Sequence, residues 1–350
     1  MSLSSRWQEF RTSLPAFFRS RRPLDFSHLV EGPGAGAVIL VGTEKDGFIP
    51  GKLTASLFLP IFARACAHRG FQVMAFPNPA DFLSRKDIPQ PVTVIMVYSE
   101  VRILRAGLDP TFQKVLERAQ RLGARVVHPP ETGLAIADKL TTRDLLIPAG
   151  IRMPELVTDT AGMVPVFSNE IVGSNRPVQL HASDALDPSR YNTRYIDAVH
   201  HYQSRAYHVS LRAMAVGTTC VAVYVRARAV GERNPSVHNK NTPLDPELLN
   251  HLHAEIVEPR RDEIHSICQR IGFRLGLGFY AHDIVPERAS GLLYVCETGF
   301  KFDDHAWRNR MAPLRGSLAC DDGDPSIEVV RSAEAFLSAP PPPSPPKIRP

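Results

Sequence analysis

The sequence predicts an α/β protein: a doubly wound unit, followed by a β-rich region that contains one long helical stretch. Three observations carry that prediction. Strand-like apolar runs alternate with helical periodicity between residues 35 and 130. After Pro154 the texture changes to short strands. Then "RAYHVSLRAMAVGTTCVAVYVRAR" (205–228) reads as a hairpin turning at Gly217-Thr218-Thr219.

Each element has its own signal. "AGAVILVGT" (35–43) is a continuous apolar run ending in Gly-Thr, the form of a buried parallel strand. "LTASLFLPIFARACAHRG" (53–70) has helical spacing and closes at Gly70, which suits a left-handed C-cap. "FQVMAF", "VTVIMVYS" and "ARVVHPP" are further strands. "DPTFQKVLERAQRLG" (109–123) is a helix capped by Asp109, with Pro110 in its first turn and Gly123 past its end. Thr141, Thr142 and Asp144 mark the start of a helix that ends near Gly150. Short strands follow in "MVPVFSNEIVG", "PVQLH" and "TRYIDAV". Residues 244–272 form one long helix, or two broken at Pro259, with Asp245 as cap. "LGFYAHDIV" and "GLLYVCETG" are the last strands.

Composition narrows the class. The 350 residues are 43% apolar and 22% charged, as in a soluble globular protein. The net charge of +5 comes from arginine-rich usage without a dense basic tract, which argues against nucleic acid and suits a small anionic molecule. No run approaches the roughly 20 apolar residues of a membrane span. "SRRPLDF" imitates an export signal, but the apolar stretch after it is short and ends in charge. Cys66, Cys220, Cys268, Cys296 and Cys320 form no C-x-x-C pair, which reads as a reduced, cytoplasmic protein. "SAPPPPSPPKIRP" is a polyproline tail.

The chemistry concentrates in the last two strands. Asp283 stands among Phe279, Tyr280, Ile284 and Val285, and Glu297 follows Leu-Leu-Tyr-Val-Cys. A carboxylate in an apolar strand is costly unless something cationic neutralises it. Two of them on strands joined by a short turn can hold one metal ion, or can be salt-bridged strand ends. Elsewhere the signals fail. In "GTEKDGFIPGKLTAS" three residues separate Gly47 from Gly51, and Leu53 follows Lys52, so the phosphate-loop spacing is not met. No Ser-His-Asp or Cys-His set is evident. His200-His201 and His251-x-His253 lack the i, i+4 spacing of a helical zinc site.

The order of parts resembles the ATP-grasp superfamily, which includes glutathione synthetase and D-alanine–D-alanine ligase, over residues 35–315. The likeness rests on the alternating lobe, on K-x-x-x-R-x-x-L-x-x-x-G-I-x-x-P from Lys139 to Pro154, and on short lid strands. It continues through a hairpin ending in arginine, a long helix, L-G-x-x-x-x-D-I-V, and a closing strand ending in Glu. The resemblance implies a basic lead-in (1–34), a Rossmann-like lobe (35–130), an ATP-grasp lid (131–200), an ATP-grasp C-terminal subdomain (201–335) and a Pro-rich tail (336–350). It implies ATP and Mg²⁺ as cofactors, with Asp283 and Glu297 as metal ligands and Lys139 on the α- or β-phosphate. It implies Arg226 as the catalytic arginine at the transferring phosphate, with Arg228 on the same face as the other choice. Tyr195 and Ile196, on a hinge strand, lie beside adenine.

The implied reaction is ATP-dependent ligation: a small-molecule carboxylate becomes an acyl phosphate that an amine or similar nucleophile attacks. Arg308, Arg310 and Arg315 are candidates for clamping that carboxylate, and Asp303 or Asp304 for extending the metal site. A homodimer is plausible by the same resemblance. The family pattern is incomplete here. No lysine falls between Lys139 and Lys240, where the lid lysine belongs, leaving Asn169, Arg176, His181 and a Gly173-Ser174 remnant. Arg194 stands where the hinge acid is usual, and Gly299 where the metal-site asparagine is, with "NKNT" (239–242) as another source of an amide. Two alternatives therefore stand beside ligation: a degenerate nucleotide-binding or scaffold protein, and a small-molecule kinase.

Overall fold

The computed structural model describes residues 24–25, 34–42, 66–67, 69–159, 165–173, 177–181, 184–231, 237 and 242–300. Most of the lead-in, residues 43–65 with most of the helix expected over 53–70, Ser174, Arg176, Asn239, Asp303, Asp304, Arg308, Arg310, Arg315 and the tail lie outside these residues. The fold is mixed α/β, and the chain divides into two compact units between Gly133 and Leu134.

The first unit holds a five-stranded sheet. β1 (Leu24–Asp25), β2 (Gly36–Gly42), β3 (Phe71–Phe76), β4 (Val92–Val97) and β5 (Arg125–Val127) are ordered β1-β3-β2-β4-β5. Only β1 runs antiparallel to its neighbour. Every residue of β2 is buried, as expected of a central parallel strand. The helices are α1 (Pro79–Ser84), α2 (Glu100–Ala106) and α3 (Pro110–Arg121). Asp109 caps α3 by accepting from the Thr111 amide at 2.8 Å, and Phe112, Val115 and Ala119 form its buried stripe.

α4 (Pro130–Ala137) leads into α5 (Lys139–Leu146). α5 begins two residues before the expected Thr141, because Asp138 accepts from the Thr141 amide at 2.7 Å and serves as the cap. β6 (Val166–Asn169), β7 (Val178–Leu180) and β8 (Tyr191–Arg194) form a small antiparallel sheet ordered β7-β6-β8. β8 stops at Arg194, short of the expected 193–199 strand. Tyr195 donates to the Pro165 carbonyl at 3.2 Å, but Pro165 has no N–H to return, and the ladder ends there.

The larger sheet of the second unit positions the candidate site. β9 (Val199–Tyr202), β10 (Arg205–Val216), β11 (Thr219–Ala229), β12 (Phe279–Pro286) and β13 (Leu293–Phe300) are all antiparallel to their neighbours. The order is β11-β10-β12-β13, with β9 also on β10. One face is apolar: Leu211, Ala213, Val223, Val225, Ile284 and Val295 pack against Leu252, Ile264, Ile267 and Ile271. These last come from α6 (Pro246–Leu252) and α7 (Arg261–Leu275). The helical stretch breaks at Pro259, as one of the two sequence options held. A π turn (His253–Val257) and a 3₁₀ turn (Glu258–Arg260) separate the helices, since proline removes a helical donor. Among the described residues no helix is long and apolar enough to cross a membrane.

Gly272 is where α7 meets the hairpin turn. A Cβ there would overlap the Gly217 carbonyl and lie 2.6 Å from Thr218 Cα, both backbone. Alanine would favour the helix by about 1 kcal/mol. Overpacking against backbone costs about 1–3 kcal/mol, so the clash decides the sign. Gly272→Ala is expected to lower unfolding free energy in urea; a more stable variant would contradict this packing.

Candidate functional site

The face opposite the apolar core is charged. Strand alternation turns Leu211 and Ala213 towards the helices, and so turns His208, Ser210 and Arg212 the other way. The cross-strand register adds Arg228 opposite His208, Arg226 opposite Ser210 and Tyr224 opposite Arg212. On the other side of β10, Arg212 is the register partner of Asp283, and Asp283 that of Glu297. Arg212, Asp283 and Glu297 thus form one row across three strands. A bulge follows at once, between Asp283 and Ile284.

Asp283 is clamped. Arg212 donates from Nε to Oδ1 at 2.9 Å and from Nη2 to Oδ2 at 3.0 Å. Arg226 Nη2 lies 3.1 Å from Oδ1, with only 4% of its side chain exposed. Burial pushes the Asp283 carboxyl up, but the Arg226 and Arg212 guanidiniums outweigh it and hold it far below the usual carboxylate range. Glu297 goes the opposite way. Burial raises it, Lys139 pulls it down, and the negative charge of Asp283 adds to the rise. Two carboxylates paired in register are therefore shifted in opposite directions.

Lys139 is the other cation of this cluster. It is 6% exposed at the first position of α5, and its ammonium donates to the Gly173 carbonyl. An isolated bridge between Asp138 and Val172, with the Lys139 amide donating to Ile171 O at 3.1 Å, fastens α5 to the 171–173 segment. Burial lowers the Lys139 pKa against the pull of Glu297, Glu170 and Asp138. The position is interior, not a solvent lysine.

Tyr195 and Ile196 lie just past the end of β8 rather than on a hinge strand. The Tyr195 hydroxyl is 3.3 Å from His208 Nδ1, and the Arg228 charge acts on both groups, so Tyr195 borders the charged face. Arg194 is fully engaged: Nε donates to Glu155 at 2.6 Å, Nη1 to Glu287 at 2.6 Å and Nη2 to the Tyr294 hydroxyl at 2.8 Å. It is a tie between strands.

The structure brings Arg226, Asp283, Glu297 and Lys139 together. The sequence reading missed Arg212, which grips both oxygens of Asp283. Its signal was present as a lone arginine among the apolar residues of "VSLRAMAV", on the polar side of the alternation. Among the described residues no group of three or more His, Cys, Asp or Glu side chains is arranged to hold a metal ion.

No family model matches the sequence, and no curated protein matches it. Some solved structures are similar to the chain over most of its length, among them the ATP-grasp ligase PsnB. The ligase PsnB, solved with precursor peptide PsnA2 and AMPPNP, has a TM-score of 0.47 at 15% identity, covering 87% of this chain and 99% of its own. N5-carboxyaminoimidazole ribonucleotide synthetase from Thermotoga maritima gives 0.48 at 12%, covering 87% and 76%. D-alanine–D-alanine ligase from Bacillus anthracis, solved with ATP, gives 0.46 at 9%, covering 86% and 98%.

The two carboxylates make opposite predictions. Asp283→Asn leaves two guanidiniums without their counter-charge and is expected to cost about 3 kcal/mol at neutral pH, the low end for a broken buried pair because the site is partly wet. Its folded pKa is depressed, so this stability is present above the usual carboxylate range and fades as pH falls below about 4. Glu297→Gln is expected to stabilise the free protein at neutral pH. Its folded pKa is raised, so wild type loses stability as pH climbs from about 4.3 through the folded value, and the variant does not. Urea unfolding of both variants from pH 3 to 8 checks the pair (about five units spanning those carboxylate values); equal signs would contradict it.

Proposed function

We propose that the charged face of β10–β13 holds the phosphates of ATP and that the chain is an ATP-dependent ligase. The observation that carries this reading is a set of buried donors left unmet. Arg212 and Arg226 share Asp283, Lys139 stands among Glu297, Glu170 and Asp138, and Arg226 Nε and Ser210 Oγ are shut off from solvent without an acceptor. Unmet buried donors are costly, and a polyphosphate supplies the acceptors and the negative charge together.

Magnesium fits this face only in company. Mg²⁺ is held by one or two carboxylates plus phosphate oxygens. Asp283 spends its oxygens on guanidiniums, and burial disfavours the charged form of Glu297, so a bare ion gains little. A nucleotide's phosphates would draw the guanidiniums to themselves and leave Asp283 and Glu297 for the metal. When bound, the ion neutralises charge between the phosphates.

In this reading Lys139 and Arg226 neutralise the phosphates, and the backbone at Tyr195 and Ile196 borders the adenine. A substrate carboxylate oxygen bonds to the γ-phosphorus as the bond to the ADP oxygen breaks, giving an acyl phosphate. An amine or similar nucleophile then forms the new acyl bond and phosphate leaves. Such transfer depends mainly on positioning and electrostatics, which this face offers without a protein nucleophile. A second reading, nucleotide binding without turnover, is favoured by the engagement of Arg194 with Glu155, Glu287 and Tyr294 in place of a hinge acid.

Calorimetry with ATP, with and without magnesium, tests the reading. Wild type is expected to bind Mg·ATP in the micromolar range, and Arg226→Gln to weaken it about tenfold or more, roughly 1.4 kcal/mol. ADP release on adding a panel of carboxylates and amines supports ligation over binding alone. No heat at millimolar Mg·ATP would overturn the nucleotide reading.

A further inference from the structure

The other face of the same sheet carries a separate feature. His200 on β9 is the register partner of Tyr207, which belongs to the helix-side core, so His200 lies opposite the face of Arg226 and Asp283. There a cavity of about 360 Å³ opens among β9, the π turn and the connection between β12 and β13. Its lining includes His200, His201, Glu255, Arg260, Glu287 and Arg288.

The acids of this lining have partners, but the arginines do not. Glu287 accepts from Arg194 at 2.6 Å and from the Ser290 hydroxyl. Glu255 lies 3.3 Å from His251 Nε2 and 4.0 Å from His200 Nδ1. Arg260 and Arg288 make no side-chain ion pair or hydrogen bond among the described residues. Arg260 Nη1 is closed off from solvent without an acceptor, as is His200 Nε2. The Arg260 guanidinium lies against Gly291, where any Cβ would collide with it. Arg288 is close enough for its charge to act on His200. A guanidinium seated on a glycine, with a buried donor unmet and a second guanidinium across the same cavity, lacks only an acceptor.

We propose that this cavity binds a small oxyanion, carboxylate or phosphate, between Arg260 and Arg288. Planar guanidinium forks match both groups in paired hydrogen bonds, and the volume falls within the range of small-ligand pockets, about 300–1,000 Å³. The site is independent of the nucleotide reading.

The test is calorimetry on the full chain with inorganic phosphate and with succinate, ionic strength held constant by chloride. At least one is expected to bind at millimolar concentration and to weaken about tenfold in Arg260→Gln and in Arg288→Gln. Phosphate alone binding identifies a phosphate site, and succinate alone a carboxylate site. The proposal is overturned if neither binds, or if both bind the Arg260→Gln/Arg288→Gln double variant as tightly as wild type.

Discussion

The clamp on Asp283 is the interaction from which the rest of the charged face follows. A carboxylate in the middle of a sheet face, between Ile284 and the buried His282, is tolerable only when its charge is answered. Arg212 answers it with both arms from the neighbouring strand, and Arg226 reaches the same oxygen from one strand further. Because Asp283 is so thoroughly paired, Glu297 across the ladder is not, and burial dominates its titration. Lys139 is held towards it from α5 by the Gly173 carbonyl. The result is a face of interleaved charges with donors still to be met.

The sheet makes this possible by keeping its two faces chemically apart. Odd-numbered positions of β10 before its bulge pack on α6 and α7, while even-numbered ones carry His208, Ser210 and Arg212. The close contact of α7 with the hairpin turn through Gly272 holds the apolar side together. Stability therefore lies mainly with one face and charge chemistry with the other. The oxyanion cavity is the exception, since it opens on the helix side where the π turn and the β12–β13 connection leave room.

Much of this was legible in the sequence, for local reasons. The Asp109 and Asp245 caps, the hairpin at Gly217 and the break at Pro259 follow from residue chemistry that acts over a few positions. Asp283 and Glu297 were recognisable as costly carboxylates on adjoining strands. What the sequence did not reveal depends on register and on distant partners. Arg212 became the two-armed partner of Asp283 only because the hairpin and the β10–β12 pairing place it directly opposite. The end of β8 at Arg194 is decided by Pro165, about thirty residues away and unpaired by any local signal. Arg194 was read as a missing acid, but the structure uses it to tie Glu155, Glu287 and Tyr294 together.

The most direct test of the clamp is a double-mutant cycle with Asp283→Asn and Arg212→Gln, read by urea unfolding at neutral pH. Two paired hydrogen bonds between partly buried opposite charges predict a coupling energy of about 1–3 kcal/mol, with the double variant less damaged than the sum of the single ones. Additivity within about 0.5 kcal/mol would contradict the account. Asp283 would then not be organised by Arg212, and the charged face would need another explanation.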